Sequence, residues 1–196
     1  MPPASVLTTG PERVRRSEPE APLREQQQEA SEDAVMTRIG QAVILLHAGD
    51  REEARNRLGE IWSEIGADGD SLHRCTLAHY LADAQDDPAD ELAWDLRALT
   101  AADGLGERLG EALPGPAEPH PAVRVFYPSL HLSLAADYAK LRRPAEARVH
   151  LARARAATGA LSDDGYGNGV RAAIARLERR LAAEAGPGPG PFPEQS

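Results

Sequence analysis

The chain has 196 residues, of which 41% are hydrophobic but only 4% aromatic, and its formal charge is −9. That apolar content is mostly alanine and leucine, which favours closely packed helices over a sheet, and the acidic balance argues against neutralising nucleic-acid phosphates. A single cysteine, Cys75, excludes an intramolecular disulfide framework and fits a reducing cytoplasm.

Residues 1–30 are rich in Pro, Glu, Gln and Arg, and no helical stripe runs through them. They bury too little apolar surface to offset chain entropy, so a disordered extension is expected. Charges interrupt this end before any signal-peptide core forms, which makes cytoplasmic the expected location. Met36 is an alternative start, because the folded pattern begins beside it. Arginine used almost to the exclusion of lysine reads as the codon usage of a GC-rich genome.

From about Ser31 the pattern turns helical, with Val35, Ile39, Ala42, Val43 and Leu46 on one stripe and Gly49 as a stop. The best apolar run, Ala42–Leu46, is far too short to span a membrane. Asp50 followed by Glu53 predicts a capping box opening a second helix, whose stripe is Ala54, Leu58, Ile61 and Ile65, ended by Gly66. This first pair covers about 34–66. The second, about 70–103, has Leu77, Ala78 and Leu81 on its first helix. Asp87 is its predicted N-cap at the turn and Pro88 its first residue there, with Leu92, Leu96 and Leu99 as the predicted buried stripe.

Residues 104–124 read as an inserted loop. Leu105, Leu109 and Leu113 suit one or two extra turns, and Pro114 through Pro121 cannot be helical. A third pair, about 128–159, carries Leu134, Ala135 and Tyr138, a break at Leu141–Arg143, and then Pro144 with Ala147, Leu151 and Ala154. Ser162, Asp163 and Asp164 can cap a terminal helix over 162–185, with Tyr166, Val170, Ile174, Leu177 and Leu181 inward. Arg171, Arg176, Glu178, Arg179 and Arg180 supply the polar outer face that an end cap needs. The tail 186–196 is predicted to be disordered.

Ala42, Ala78 and Ala135 occupy one position in three copies of the same pattern, with 36 residues between the first two and 57 between the last two. Leu134-Ala135-x-x-Tyr138, followed by Ala147, Leu151 and Ala154, resembles the signature of the tetratricopeptide repeat (TPR) family. The resemblance implies an all-α fold in which antiparallel helix pairs stack as a short TPR-like right-handed solenoid closed by a C-terminal capping helix. It implies a non-enzymatic adaptor that grips a segment of another protein in a concave groove. Carried over by position, the groove is lined by Met36, Ile39, Val43 and His47, by Leu72, Cys75, His79 and Asp83, and by Leu132, Ala136 and Lys140. That lining is mainly apolar and lacks a paired Lys/Arg clamp for a terminal carboxylate, so an apolar or helical segment is the expected ligand. No cofactor, metal, nucleic acid or membrane is expected as a partner, and a homo-oligomer is left open.

Other patterns weigh less. Cys75, His79 and Asp83 lie at i, i+4 and i+8 with His73 a turn earlier, a spacing that suits zinc and leaves a metal-binding or regulatory role as an alternative. A structural zinc site wants four ligands, and a Cys–His nucleophile wants an oxyanion hole, so a polar spot in the groove is the preferred reading. His131 stands where the family often has Trp and reads as packing, as do Trp62 and Trp94 between neighbouring pairs. Asp163 through Gly169 lacks the acidic order and distal Glu of a calcium loop. Residues 70–103 sum to −6 and residues 140–180 to +6. That separation makes self-assembly through opposite ends a third reading.

Overall fold

The structure is a computed structural model that describes residues 21–110 and 124–184. Among these residues are seven α-helices and no strand. The helices are α1 (Ala21–His47), α2 (Arg51–Ile65), α3 (Ser71–Asp83), α4 (Pro88–Gly110), α5 (Tyr127–Lys140), α6 (Pro144–Ala157) and α7 (Gly165–Glu184), with a 3₁₀ turn at Thr158–Ala160. The chain divides into two units, Met1–Ala34 and Val35–Ser196. The expected disorder of residues 1–20, the Pro114–Pro121 loop and the tail from 186 lie outside the described residues.

Residues 21–30 correct the expectation of disorder, because they are helical. Glu25, Gln26 and Gln27 are exposed there, and after Pro22 in the first turn, where a proline is tolerated, the segment is built from Leu, Arg, Glu, Gln and Ala. These residues lose little side-chain freedom in a helix, so propensity supports the helix where an apolar stripe is missing.

Caps explain most of the other boundaries. Asp70 accepts from the backbone N–H groups of Leu72 and His73, and Asp87 accepts from those of Ala89 (2.7 Å) and Asp90 (3.3 Å) ahead of α4. Asp50 makes no side-chain cap, and its expected partner Glu53 instead accepts from Arg57 at 2.7 Å. The turn after α1 closes through Gly49 at φ 93°, with Asp50 N–H donating to Leu45 O and Gly49 N–H to Leu46 O. The turn after α5 repeats this pattern, with Arg143 N–H donating to Tyr138 O and Arg142 N–H to Ala139 O, but Arg142 holds the left-handed φ of 59°. A side chain pays a steric penalty there that glycine does not. Arg142→Gly is therefore expected to stabilise the protein by roughly 0.5–1 kcal/mol, and Gly49→Ala to destabilise it by about as much, both read from urea unfolding.

The core is a chain of three clusters, each joining three consecutive helices. Ile39 and Ala42 of α1 meet Leu58 and Ile61 of α2 and Leu77 and Leu81 of α3. Cys75 and Ala78 of α3 meet Ala98 and Ala102 of α4 and Leu130 of α5. Ala135 of α5 meets Ala147, Leu151 and Ala154 of α6 and the stripe from Val170 to Leu181 of α7. The small residues Ala42, Ala54, Ala78, Ala135 and Ala147 are fully buried, which lets the helix axes approach closely. Trp62 and Trp94 pack edge to face with centroids 5.1 Å apart, and Arg74 and Arg97 lie over their outer faces.

The buried face of α4 differs from the predicted stripe. Leu92 is buried, but Leu96 is 40% exposed and Leu99 half-buried. The inward positions are held by Asp95, Ala98 and Ala102. An apolar periodicity cannot place a carboxylate inside; its partners can.

Candidate functional site

A cleft of about 570 Å³ opens at the C-terminal ends of α1, α3 and α5. His47, Asp83 and Lys140 line it, one from each of these helices and each five residues after the repeated alanine (Ala42, Ala78, Ala135). Arg51, Gln85, Asp86 and Glu91 complete the polar part of its wall, with Leu46 and Pro88 as the apolar part. The arginines of α2 fasten this end of the fold. Arg51 donates to the carbonyls of Asp83 (2.7 Å) and Gln85 (3.0 Å), and Arg55 to the carbonyl of Ala84 (2.9 Å) and to Asp86 Oδ2 (2.6 Å). These bonds satisfy carbonyls that the end of α3 leaves without intrahelical donors, and they set cations at the negative end of its dipole.

Next to the cleft, a polar network crosses α3, α4 and α5. Asp95 and Asp137 are 2% and 1% exposed. His79 Nδ1 donates to Asp95 Oδ1 at 3.2 Å. Lys140 Nζ donates to Asp137 Oδ1 at 3.3 Å and also to Glu91. Asp137 Oδ2 is buried without a hydrogen-bond partner.

The titrations around this network share a sign. Burial pushes the Asp137 carboxyl up to about 8, helped by the charge and hydrogen bonding of Asp95 and by the charge of Glu91, against the pull of Lys140. Burial and the charges of Asp95 and Glu91 also raise Asp83, although His79 and Lys140 oppose them. Burial works against the charge on His79, but the Asp95 hydrogen bond and the carboxylates of Asp95 and Asp83 outweigh it and raise the imidazole above its usual value. Lys140 is raised in the same way, with Glu91 and Asp137 outweighing its burial. The imidazole and the ammonium are raised against their own burial by Asp95, Asp83, Glu91 and Asp137, which marks negative potential around these two cations.

The predicted groove residues divide. His47, Asp83 and Lys140 come together in the cleft, and His79 joins the network beside it. Val43, Leu72, Leu132 and Ala136 are half-buried, and Met36 is exposed on α1. Ile39 and Cys75 leave the groove set. At 1% and 3% exposed they are core residues, because the faces of α1 and α3 that carry them are the ones covered by α2 and α4. Burial, with the charges of Asp95 and Asp103, pushes the Cys75 thiol up to about 12, so it stays protonated at neutral pH and supplies no thiolate to pair with His79. Among the described residues no group of three or more His, Cys, Asp or Glu side chains is arranged to hold a metal ion.

Sequence reasoning missed Asp95, Asp137 and Glu91. A second cluster lies across α5 and α6, where the Nδ1 atoms of His131 and His150 are 3.2 Å apart, one ring donating to the other. Tyr127 stacks on His131 and Tyr138 on His150. Burial, together with His150 and Arg153, pushes His131 down to about 4, and burial and Arg153 lower His150. Both rings are neutral at pH 7 and serve as packing.

Against known protein families, curated proteins and solved structures, the chain finds no match. The site is therefore read from its own geometry. No helix among the described residues is long and apolar enough to cross a membrane.

Proposed function

We propose that the protein is a cytoplasmic protein-binding scaffold of the tetratricopeptide kind, whose helix pairs stack as a short right-handed solenoid and hold a segment of another protein against α1, α3, α5 and α7. The observation that carries this reading is the meeting of His47, Asp83 and Lys140, one repeat position from three successive hairpins, in a single cleft. A second observation supports it. Tyr166 of α7 is 58% exposed and Tyr80 of α3 half-buried, and the charge of Tyr166 acts with burial and Asp83 to raise the Tyr80 phenol, so aromatic surface is available to a bound segment.

The cleft changes the expected ligand. Asp83 and His47 make no side-chain hydrogen bond among the described residues, and the potential there is negative. The bound segment is therefore proposed to bring a basic side chain to the cleft and apolar side chains to Tyr80 and Tyr166. Peptides selected from a random display library should bind the wild type and lose at least about tenfold in affinity on Asp83→Arg or Tyr166→Ala, with no loss on Arg176→Ala of the outer face. Selected peptides indifferent to both groove substitutions would remove the proposal.

A further inference from the structure

Asp95 and Asp137, the two most buried carboxylates among the described residues, lie on the facing helices α4 and α5 and have unequal partners. His79 serves Asp95 Oδ1 and Lys140 serves Asp137 Oδ1, while Asp137 Oδ2 is enclosed with no donor. An enclosed acceptor without a donor costs about 1–3 kcal/mol, more when charged, and a second buried charge beside the first adds to that. A proton on Asp137 Oδ2 removes both penalties. It turns the orphan into a donor, and Asp95, whose carboxylate hydrogen-bonds with and bears on Asp137, supplies an acceptor.

We propose that Asp95 and Asp137 hold a single proton between them, and that this proton sets the position of Lys140 in the cleft. While the proton is in place, Asp137 offers Lys140 little charge and the ammonium answers mainly to Glu91 on the cleft wall. When the proton leaves, a full carboxylate opens beneath Lys140 and draws its ammonium into the α4–α5 seam, leaving the cleft more acidic at its mouth. The direction found for Asp137, upward with burial and Asp95 as its chief causes, agrees with this assignment.

The charged groups around the pair come from three helices. Glu91 and Asp95 belong to α4, His79 and Asp83 to α3, and Lys140 lies one turn along α5 from Asp137. On the far side of α5, His150 and Arg153 of α6 bear on His131, and Arg155 of α6 pairs with Glu178 of α7. Arg148 of α6 donates to the carbonyl of Leu181, and Arg171 of α7 to the carbonyls of Leu161 and Ser162, so these cations are engaged away from the pair.

The output can be read directly, because Lys140 is the only lysine in the chain. Protein labelled with ¹³C and ¹⁵N lysine gives one side-chain signal. Its Cε shift should move with a midpoint near 8, far below the titration of the lysine itself, and should stay flat over the same range in Asp137→Asn. His79 remains in that variant, so a flat profile separates its titration from that of the pair. Infrared spectra of the wild type should show the C=O stretch of a protonated carboxylic acid at about pH 6 that is gone by about pH 9 and absent from Asp137→Asn. If Asp137→Asn fails to fold, Asp95→Asn interrogates the same proton from the other side. Absence of the acid band near pH 6 overturns the shared proton, and an acid band with an unmoving Lys140 signal overturns its control of the cleft.

Discussion

Gly167→Ala is expected to destabilise the protein by about 3–4 kcal/mol, while Gly169→Ala, two residues further along the same helix, stabilises it by up to about 1 kcal/mol. A Cβ at residue 167 would stand 2.1 Å from the carbonyl oxygen of Ser162 and 3.3 Å from Leu161 Cβ. The nearer atom is backbone and cannot swing aside. The loop it belongs to folds over the first turn of α7. Gly167 N–H donates to Asp164 Oδ1 at 2.8 Å, and Arg171 donates to the carbonyls of Leu161 (2.8 Å) and Ser162 (3.3 Å). Making room would break these bonds and lift Leu161 out of the cluster it shares with Val170 and Ile174. Gly169 meets nothing within 4 Å, so a methyl there only improves helix propensity. Urea unfolding of the two variants decides the matter, and equal midpoints would mean that the loop is not held against α7 at Gly167.

That contrast shows where the sequence was readable. Glycine at 165, 167 and 169 reads as a loosened helix start, and nothing in the one-dimensional pattern says that a single one of them touches another backbone. The helices themselves were legible because their signals are local. Ala42, Ala78 and Ala135, with Leu45, Leu81 and Tyr138 three residues on, set a spacing that close-packed helices satisfy, and Pro88 and Pro144 mark the starts of α4 and α6. The polar network was not legible. Asp95 and Asp137 look like solvent-facing acids until α3, α4 and α5 bring His79, Glu91 and Lys140 to them, and only the three-dimensional arrangement supplies those partners. The groove positions show the same limit. The position five residues after the repeated alanine converged, whereas Ile39 and Cys75, three residues before it, went into the core. Which side of a helix faces a neighbour is fixed by crossing geometry, and spacing along the chain constrains that only loosely.

The stability of the wild type should peak near pH 6.5 and fall on both sides, for opposite reasons. His131 and His150 have folded-state values below the usual 6.5, His131 at about 4. Between those limits the unfolded chain binds their protons first, so stability is lost as pH falls. Asp137 acts in the other direction. Its folded value of about 8 lies above that of an unfolded aspartate, so the native state keeps a proton that the unfolded chain releases, and stability is lost as pH rises through that window. His79 adds to this, because the stability it draws from Asp95 is complete below about 6.5 and disappears as pH climbs through its raised folded value. Below 6.5 the histidine pair offsets or outweighs Asp137; above it nothing opposes the loss. Each unmatched proton is worth about 1.4 kcal/mol per pH unit, so going from 6.5 to 8 should cost roughly 2–3 kcal/mol, or on the order of 5–10 °C in Tm. Thermal melts followed by far-UV circular dichroism at constant ionic strength measure this directly. Asp137→Asn should flatten most of the alkaline limb, and His131→Phe, which keeps the stacking on Tyr127, should weaken the acid limb alone. A wild-type curve that rises steadily from pH 6.5 to 8 would contradict the buried proton on Asp137, since ordinary surface acids carry no such window.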